Sequence, residues 1–226
     1  MKTFVIGDMH GGYKSLMQCL DRSKFDYKKD KLICLGDTCD SWPDTTECFE
    51  ELLKIKNLIY VLGNHDIWLL NWLTVGATPS IWTMQGGQAT IDSYIANAEL
   101  KTWKKHREFL EKCPYYYIDE KNNCFVHGGV SQKGISIDEC DTDFLTWDRD
   151  LWDNRHNLKP LIEFNEIYVG HTSIWELSKF PANYANVWFV DTGGGWEGKL
   201  SIMNIDTKEV FQSDIVAGLY PNNRGR

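Results

Sequence analysis

What the 226-residue sequence lacks narrows the possibilities first. No run approaches the roughly 20 consecutive apolar residues that span a bilayer. The opening MKTFVIGDMHGG has neither the long apolar stretch nor the cleavage site of a secretory signal. A cytoplasmic protein with no membrane partner is therefore expected. Basic charge is short as well: 24 Lys and Arg against 32 Asp and Glu leave a net −8. Such a surface repels phosphate backbones, so no nucleic acid duplex is expected as a partner. The seven cysteines (Cys19, Cys34, Cys39, Cys48, Cys113, Cys124 and Cys140) form neither CxxC pairs nor zinc-finger spacing. They read as reduced thiols packed as small hydrophobes. No Pro/Ser-rich linker, internal repeat or low-complexity run divides the chain. One domain over residues 1–226 is expected, loose only at the C-terminal PNNRGR.

Short β-branched runs are present instead, each ending in a glycine-containing polar turn: Thr3–Ile6, Leu32–Leu35, Leu58–Leu62, Cys124–Val126, Ile167–Val169 and Val187–Val190. These predict buried strands. Helical periodicity at Tyr13–Leu20 and Thr45–Lys56 makes the first sixty residues β-α-β-α-β. After Val187 the runs Leu200–Asn204 and Val210–Ser213 follow closely, which predicts antiparallel pairing. The sum is a layered α/β fold with mixed sheets. Residues 67–112 break the strand rhythm with IWLLNWL, GGQATIDSYIA and TWKKHREFLEK, carrying Trp68, Trp72, Trp82 and Trp103. They predict a helical insertion whose tryptophans pack it onto the body; a lid over an entrance is the sharper alternative.

Four of the six histidines follow a predicted strand directly, in Gly7-Asp8-Met9-His10-Gly11, Gly63-Asn64-His65-Asp66, His127-Gly128-Gly129 and Gly170-His171-Thr172. A fifth loop of this kind, Gly36-Asp37-Thr38-Cys39-Asp40, adds two carboxylates. In α/β sheets ligands gather at the carboxyl ends of strands, where small residues let backbone come close. Any one of these loops is an ordinary polar turn; five in this order are not. The candidate metal ligands are Asp8, His10, Asp37, Asn64, His127 and His171. Six ligands would saturate one ion and leave no open position, whereas two ions sharing a carboxylate keep room for water and substrate. Imidazole, carboxylate and amide oxygen without thiolate favour manganese, iron or zinc over calcium or magnesium.

This set resembles the calcineurin-like metallophosphoesterase superfamily, with its GDxHG, GDxxD, GNHD/E, HxG and GH signatures. It is most like the PPP phosphatases of bacteria and phages, a branch that includes Ser/Thr/Tyr phosphatases and symmetrical diadenosine tetraphosphate hydrolases. YVLGNHDIWLL, PYYYIDEKNNCFVHGG, TWDRDLW and VDTGGGWEGKLS extend the likeness over nearly the whole chain. The resemblance implies a calcineurin-like sandwich of mixed sheets flanked by helices. It also implies two divalent ions, manganese foremost. Asp8, His10 and Asp37 would hold the first ion, Asp37, Asn64, His127 and His171 the second, with Asp37 as the bridge. The absence of a second histidine after Gly170-His171 fits the PPP pattern.

The implied reaction is hydrolysis of a phosphomonoester, on phosphoprotein Ser/Thr or on a small phosphoester, by in-line attack of a metal-bridged hydroxide. His65 would be the general acid and Asp40 would orient its imidazole. Arg149, in Thr146-Trp147-Asp148-Arg149-Asp150, matches a segment carrying a phosphate-binding arginine. Arg149 and Asn64 are thus the substrate-binding candidates, with a surface ion pair as the alternative for Arg149. Ser41 and Trp42 stand where many PPP members read Arg-Gly after GDxxD, and Leu62 precedes GNH where arginine is frequent. Fewer fixed cations leave the substrate open, with aromatic surface at Trp42 as one determinant. A diadenosine tetraphosphate or related nucleotide hydrolase is the alternative substrate reading, and a non-catalytic metal-binding scaffold the alternative class. No cysteine has the Cx5R spacing of covalent phosphatases, so thiol catalysis is excluded. Cys39 is expected to be a buried inert thiol, and His106 and His156 to be solvated surface residues. Asp138, Glu139, Asp141 and Asp143 are expected to form an exposed acidic loop, and Gly193–Gly195 a tight turn.

Overall fold

A computed structural model of the chain describes residues 1–97, 99–223 and 225. Five strands form a first sheet: β1 (Thr3–Ile6), β2 (Lys31–Cys34), β3 (Asn57–Tyr60), β9 (Ser201–Asn204) and β10 (Val210–Gln212), in the order β10-β9-β1-β2-β3. Five more form a second: β4 (Tyr116–Ile118), β5 (Cys124–Val126), β6 (Ile167–Val169), β7 (Ala182–Tyr184) and β8 (Val187–Phe189), in the order β4-β5-β6-β8-β7. Each contains three parallel strands, β1, β2 and β3 or β5, β6 and β8; in the second sheet antiparallel β4 and β7 flank them on both sides, whereas in the first β9 and β10 both extend the sheet beyond β1 and β3 is the edge. The antiparallel pairing expected for the last two runs is present as β9 with β10.

Side-chain alternation along each strand builds the layers. Val5, Ile33 and Met203 of the first sheet meet Phe125 and Tyr168 of the second, whose rings stack at 4.8 Å. The opposite face of the first sheet presents Phe4, Ile6, Leu32, Cys34 and Ile202 to α1 (Tyr13–Arg22) and α2 (Thr45–Leu52). That of the second presents Val126, Val169 and Phe189 to Leu145 and Leu151. The fold is therefore a mixed α/β sandwich, two sheets inside and helices outside. Helix α2 ends earlier than the sequence predicts because a turn at Leu53–Lys54 returns Ile55 to the core.

The insertion is helical, as expected: α3 (Asn64–Val75), α4 (Ser80–Trp82), a wider turn at Thr83–Gly87, α5 (Gln88–Asn97) and α6 (Leu100–Leu110). Its aromatics interlock, with Trp72 lying 4.8 Å from Trp103, 5.6 Å from Tyr94 and 6.2 Å from Trp82. Trp72 and Trp103 also pack against the core of the body, as predicted, whereas Trp68 turns to His65 and Trp147. His106 differs from expectation. It is fully buried against Phe49, its Nδ1 accepts from the Tyr94 hydroxyl at 2.8 Å, and its Nε2 donates to Glu50 at 2.9 Å. Those partners lie on other elements, so the lysines beside it in sequence misrepresented its surroundings. His156 is exposed, as is the acidic stretch Asp138, Glu139, Asp141 and Asp143. In the terminal PNNRGR, Arg224 and Arg226 lie outside the described residues.

Candidate active site

The six parallel strands run to the same edge of the sandwich, and the loops leaving them carry the predicted residues. Asp8 and His10 follow β1, Asp37 follows β2, and Asn64 and His65 follow β3. His127 follows β5 and His171 follows β6. Asn64 and His65 lie on the first turn of helix α3 and not in a loop as predicted. Gly63, extended at φ −95°, is the N-cap, and Asp66 at the third position accepts from its N–H at 3.0 Å. A helix can therefore start directly after the strand.

Asp37 Oδ2 is the centre of the arrangement. It lies 3.2 Å from His127 Nε2, 3.9 Å from His10 Nε2 and 4.0 Å from His65 Nε2. Asp8 Oδ2 is 4.0 Å from the same His10 nitrogen, and Asn64 Oδ1 is 3.0 Å from His127 Nε2. Donor atoms of Asp37, His127 and His171 fall within 4.8 Å of one another, as do those of His10, Asp37 and His65. Two candidate metal-ligating groups thus share Asp37. The outer nitrogens are fixed: His10 Nδ1 donates to the Cys39 carbonyl at 2.9 Å, and His127 Nδ1 to the Leu35 carbonyl at 2.6 Å. Metal-binding histidines are held in this way, one nitrogen on a carbonyl and the other turned inward.

Close approach between loops requires glycine at Gly63 and Gly170, among other positions. A Cβ on Gly63 would fall 2.1 Å from Asp37 Oδ1, and one on Gly170 2.4 Å from Asp8 Oδ1. The backbone of each loop touches the carboxylate of its neighbour. His171 N–H donates to Asp8 at 3.1 Å across the two sheets, and His65 N–H donates to Asp37 Oδ1 at 3.0 Å. Backbone geometry is strained here: His10, Asp37, Asp40, Ser41 and His171 all have left-handed φ, between +48° and +77°.

The electrostatics are those of a cage of buried charge. Burial works against ionised Asp37, but the imidazoles of His127, His65 and His10 outweigh it and hold the carboxyl well below its ordinary range. Asp8 moves the other way, raised by burial and by the nearby Asp191. His127 is pushed up to about 10, because Asp37 and Asp8 overcome its burial. His171 is pushed down to about 2, by burial and by the charge of His127. Its Nε2 is buried and has no hydrogen-bond partner among the described residues. An inward lone pair on a neutral imidazole, beside a shared carboxylate, fits a divalent cation.

His65 and Asp40 meet as predicted, His65 Nδ1 donating to Asp40 Oδ2. Arg149 is exposed and lines a cavity of about 280 Å³ together with His171, Trp175 and Trp196. Cys39 is buried, and burial followed by Asp40 raises its thiol well above the ordinary value. Trp42 contradicts expectation: it is 1 % exposed, stacks on Tyr220 at 5.2 Å and donates from Nε1 to the Gly194 carbonyl. It offers no surface to a substrate. Gly193–Gly195 turns the chain, and the turn also packs directly on Asp8 and His10.

Sequence reasoning missed four contributors. Asp66 accepts from Asp37 N–H at 2.8 Å and from the Tyr60 hydroxyl at 2.9 Å, tying the loops after β2 and β3 together. Asp191 follows β8, a sixth strand end, at the position where the other strands place their ligands. Trp68 and Trp147 form an edge-on wall between His65 and His171.

A family model described as calcineurin-like phosphoesterase matches residues 1–199. The chain belongs to that family. A symmetrical bis(5'-nucleosyl)-tetraphosphatase from Pseudomonas fluorescens (strain SBW25) is 24% identical, the alignment covering 93% of this chain and 94% of that protein. Serine/threonine-protein phosphatase 2 from Salmonella typhimurium (strain LT2) is 26% identical over 89% of this chain and 92% of its own. Among solved structures, the cold-active protein-tyrosine phosphatase of a psychrophilic Shewanella shares the fold, with a TM-score of 0.59 at 14% identity. That match covers 94% of this chain and 80% of the other. The protein is a hydrolase of the metallophosphoesterase type, in a family that uses divalent metals. No helix among the described residues is long and apolar enough to cross a membrane.

Proposed function

We propose that this metallophosphoesterase is a two-metal phosphomonoesterase of the cytoplasm, acting on phosphorylated protein or on small phosphoesters. The observation that carries the reading is convergence. Ligand-type side chains from both sheets surround Asp37 Oδ2, and a His65–Asp40 pair faces the same carboxylate. In this reading Asp8, His10 and Asp37 hold one divalent ion, manganese foremost. Asp37, Asn64, His127 and His171 hold the other. When bound, the ions neutralise phosphoryl charge and supply an acidified water as nucleophile.

The chain's own residues do the rest. His65, oriented by Asp40 through Nδ1, presents Nε2 toward the reacting centre and gives its proton to the leaving oxygen. Its nitrogen lies as near Asp37 as that of His10, but Asp8 completes the first ligand set and leaves His65 for the proton. Arg149 at the cavity beside His171 binds the non-bridging oxygens, and Asn64 also touches the phosphoryl group. The two tryptophans in that cavity, and the tetraphosphatase relative, support a second reading, a dinucleoside polyphosphate as substrate.

The test is a panel on manganese-loaded protein: phosphopeptides, aryl phosphates and diadenosine tetraphosphate with product analysis, each repeated with His65→Asn. Hydrolysis of monoesters, reduced about 10²–10⁴-fold in the variant, is expected. ADP as the product of the dinucleotide would favour the second reading. Folded, metal-loaded protein that cleaves none of them refutes both.

A further inference from the structure

We propose that Trp82 and Thr90 of the insertion are positioning residues that hold the Asp40 carboxylate against His65. The inference rests on the reading of His65 as proton donor and gives the insertion a part in catalysis. Asp40 has no exposed surface, so every lone pair it presents must be matched inside the protein. Its Oδ2 accepts from His65 Nδ1 and also, at 2.8 Å, from Trp82 Nε1. Its Oδ1 accepts from the Thr90 hydroxyl at 2.8 Å, and the same hydroxyl oxygen accepts from Asp40 N–H at 2.7 Å. Thr90 thus clamps both the backbone and the side chain of one residue. Donors on two sides fix the plane of the carboxylate, and with it the direction of the His65 ring.

The local backbone shows why such a clamp is needed. Asp40 and Ser41 are consecutive non-glycine residues with left-handed φ, +77° and +66°. Each such residue costs on the order of 1–3 kcal/mol and persists only where its surroundings hold it. The surroundings are the insertion. Ser41 N–H donates to the Gly86 carbonyl at 3.2 Å, and a Cβ on Gly86 would fall 2.6 Å from Ser41 N. Gln85 and Gly86 leave helical geometry inside Thr83–Gly87. That break folds the chain so that Trp82 before it and Thr90 after it reach the same carboxylate. Trp82 is itself fully buried, and the insertion aromatics around Trp72 back its ring.

Trp82→Phe removes the indole N–H and keeps an aromatic ring; Thr90→Val removes the hydroxyl and keeps the shape; Thr90→Ser restores the hydroxyl. The readout is kcat on two substrates, phenyl phosphate, whose leaving group needs a proton, and p-nitrophenyl phosphate, whose leaving group needs it far less. Trp82→Phe and Thr90→Val are expected to lower kcat on phenyl phosphate about 10-fold, a fraction of the full general-acid effect. On p-nitrophenyl phosphate kcat should change by less than about 2-fold, with KM unchanged for both substrates. Thr90→Ser should behave as the unaltered protein. In an Asp40→Asn background, Trp82→Phe should add nothing, because its target charge is gone. Equal losses on both substrates, a Thr90→Ser loss as large as that of Thr90→Val, or full additivity with Asp40→Asn would each overturn the positioning role. An unaltered protein that cleaves neither substrate would instead overturn the phosphomonoesterase reading.

Discussion

Replacing Gly195 by alanine should disable the metal site while sparing the rest of the fold. A Cβ built on Gly195 falls 2.3 Å from Cδ2 and 2.7 Å from Cγ of His10, whereas ordinary contact begins at 3.4 Å. The overlap of about 1 Å cannot be absorbed by rotating the ring, because His10 Nδ1 is tied to the Cys39 carbonyl. Either the imidazole moves away from Asp8 and Asp37, or the 193–195 turn lifts off the site. Metal–ligand distances tolerate only about 0.2 Å of change, and a displacement near 1 Å costs about 10²-fold in rate. We therefore expect kcat/KM about 10²-fold lower and a clearly weaker affinity for manganese in calorimetry. Overpacking of about 1–3 kcal/mol should lower the melting temperature of the metal-free protein by about 2–12 °C. Gly218→Ala is the control: Gly218 has ordinary φ and its Cβ would meet nothing within 4 Å, so activity and affinity should not change. A Gly195→Ala protein with undiminished manganese affinity and activity would show that His10 is not a ligand in the position described.

Further expectations follow from single contacts. Removing the shared carboxylate with Asp37→Asn should abolish stabilisation by manganese. At about one hundred times Kd that stabilisation is about 2.7 kcal/mol, a rise of roughly 5–10 °C in the unaltered protein, and an equal rise in the variant would contradict the shared-ligand assignment. Arg149→Ala should lower kcat/KM about 10-fold or more and leave manganese affinity intact; unchanged kinetics would remove Arg149 from the site. His106 gives a pH signature. Burial depresses its pKa in the folded chain, and Glu50 only partly offsets this. The unfolded state then binds more protons below about pH 6.5, so stability falls as the pH drops through that value. His106→Gln should lose about 1–3 kcal/mol at pH 8 and show a shallower decline in urea midpoint toward pH 5. A steeper decline would refute the assignment of a neutral, buried imidazole.

Much of this molecule was legible in its sequence because buried parallel strands read as uninterrupted apolar runs, and the glycines after them mark close approach. The strands β1, β5 and β6 were bounded correctly for that reason. The strands β4 and β7 were not seen. They lie at the sheet edge and are at most half-buried, so the bonding groups of β5 and β8 select them more than any apolar pattern of their own. The ligands were visible as residue types at strand ends; their supports were not. Asp40 receives its bonds from Trp82 and Thr90, 42 and 50 residues away, and Trp42 donates to a carbonyl 152 residues away. His106 was misread on the same account: the pattern around it is polar, and what buries it belongs to α2 and α5.

Backbone conformation separates functional from merely polar turns more sharply than residue type. Among the described residues nine non-glycine positions have left-handed φ, and five of them, His10, Asp37, Asp40, Ser41 and His171, belong to the site. The other four, Lys24, Asn122, Ala185 and Lys208, lie outside it, and there glycine would serve the backbone at least as well. At His10, Asp37 and His171 glycine would also relieve the strain, yet each carries a side chain that reaches the centre. Holding three such groups at about 1–3 kcal/mol apiece requires rigid support beneath them. The strands preceding them supply it, with Ile6, Cys34 and Val169 each at most 1 % exposed. The core under the loops is thus what permits strained residues to stand side by side around one carboxylate. For that reason the ligands begin within a few residues of buried strands and are not carried on longer, looser loops.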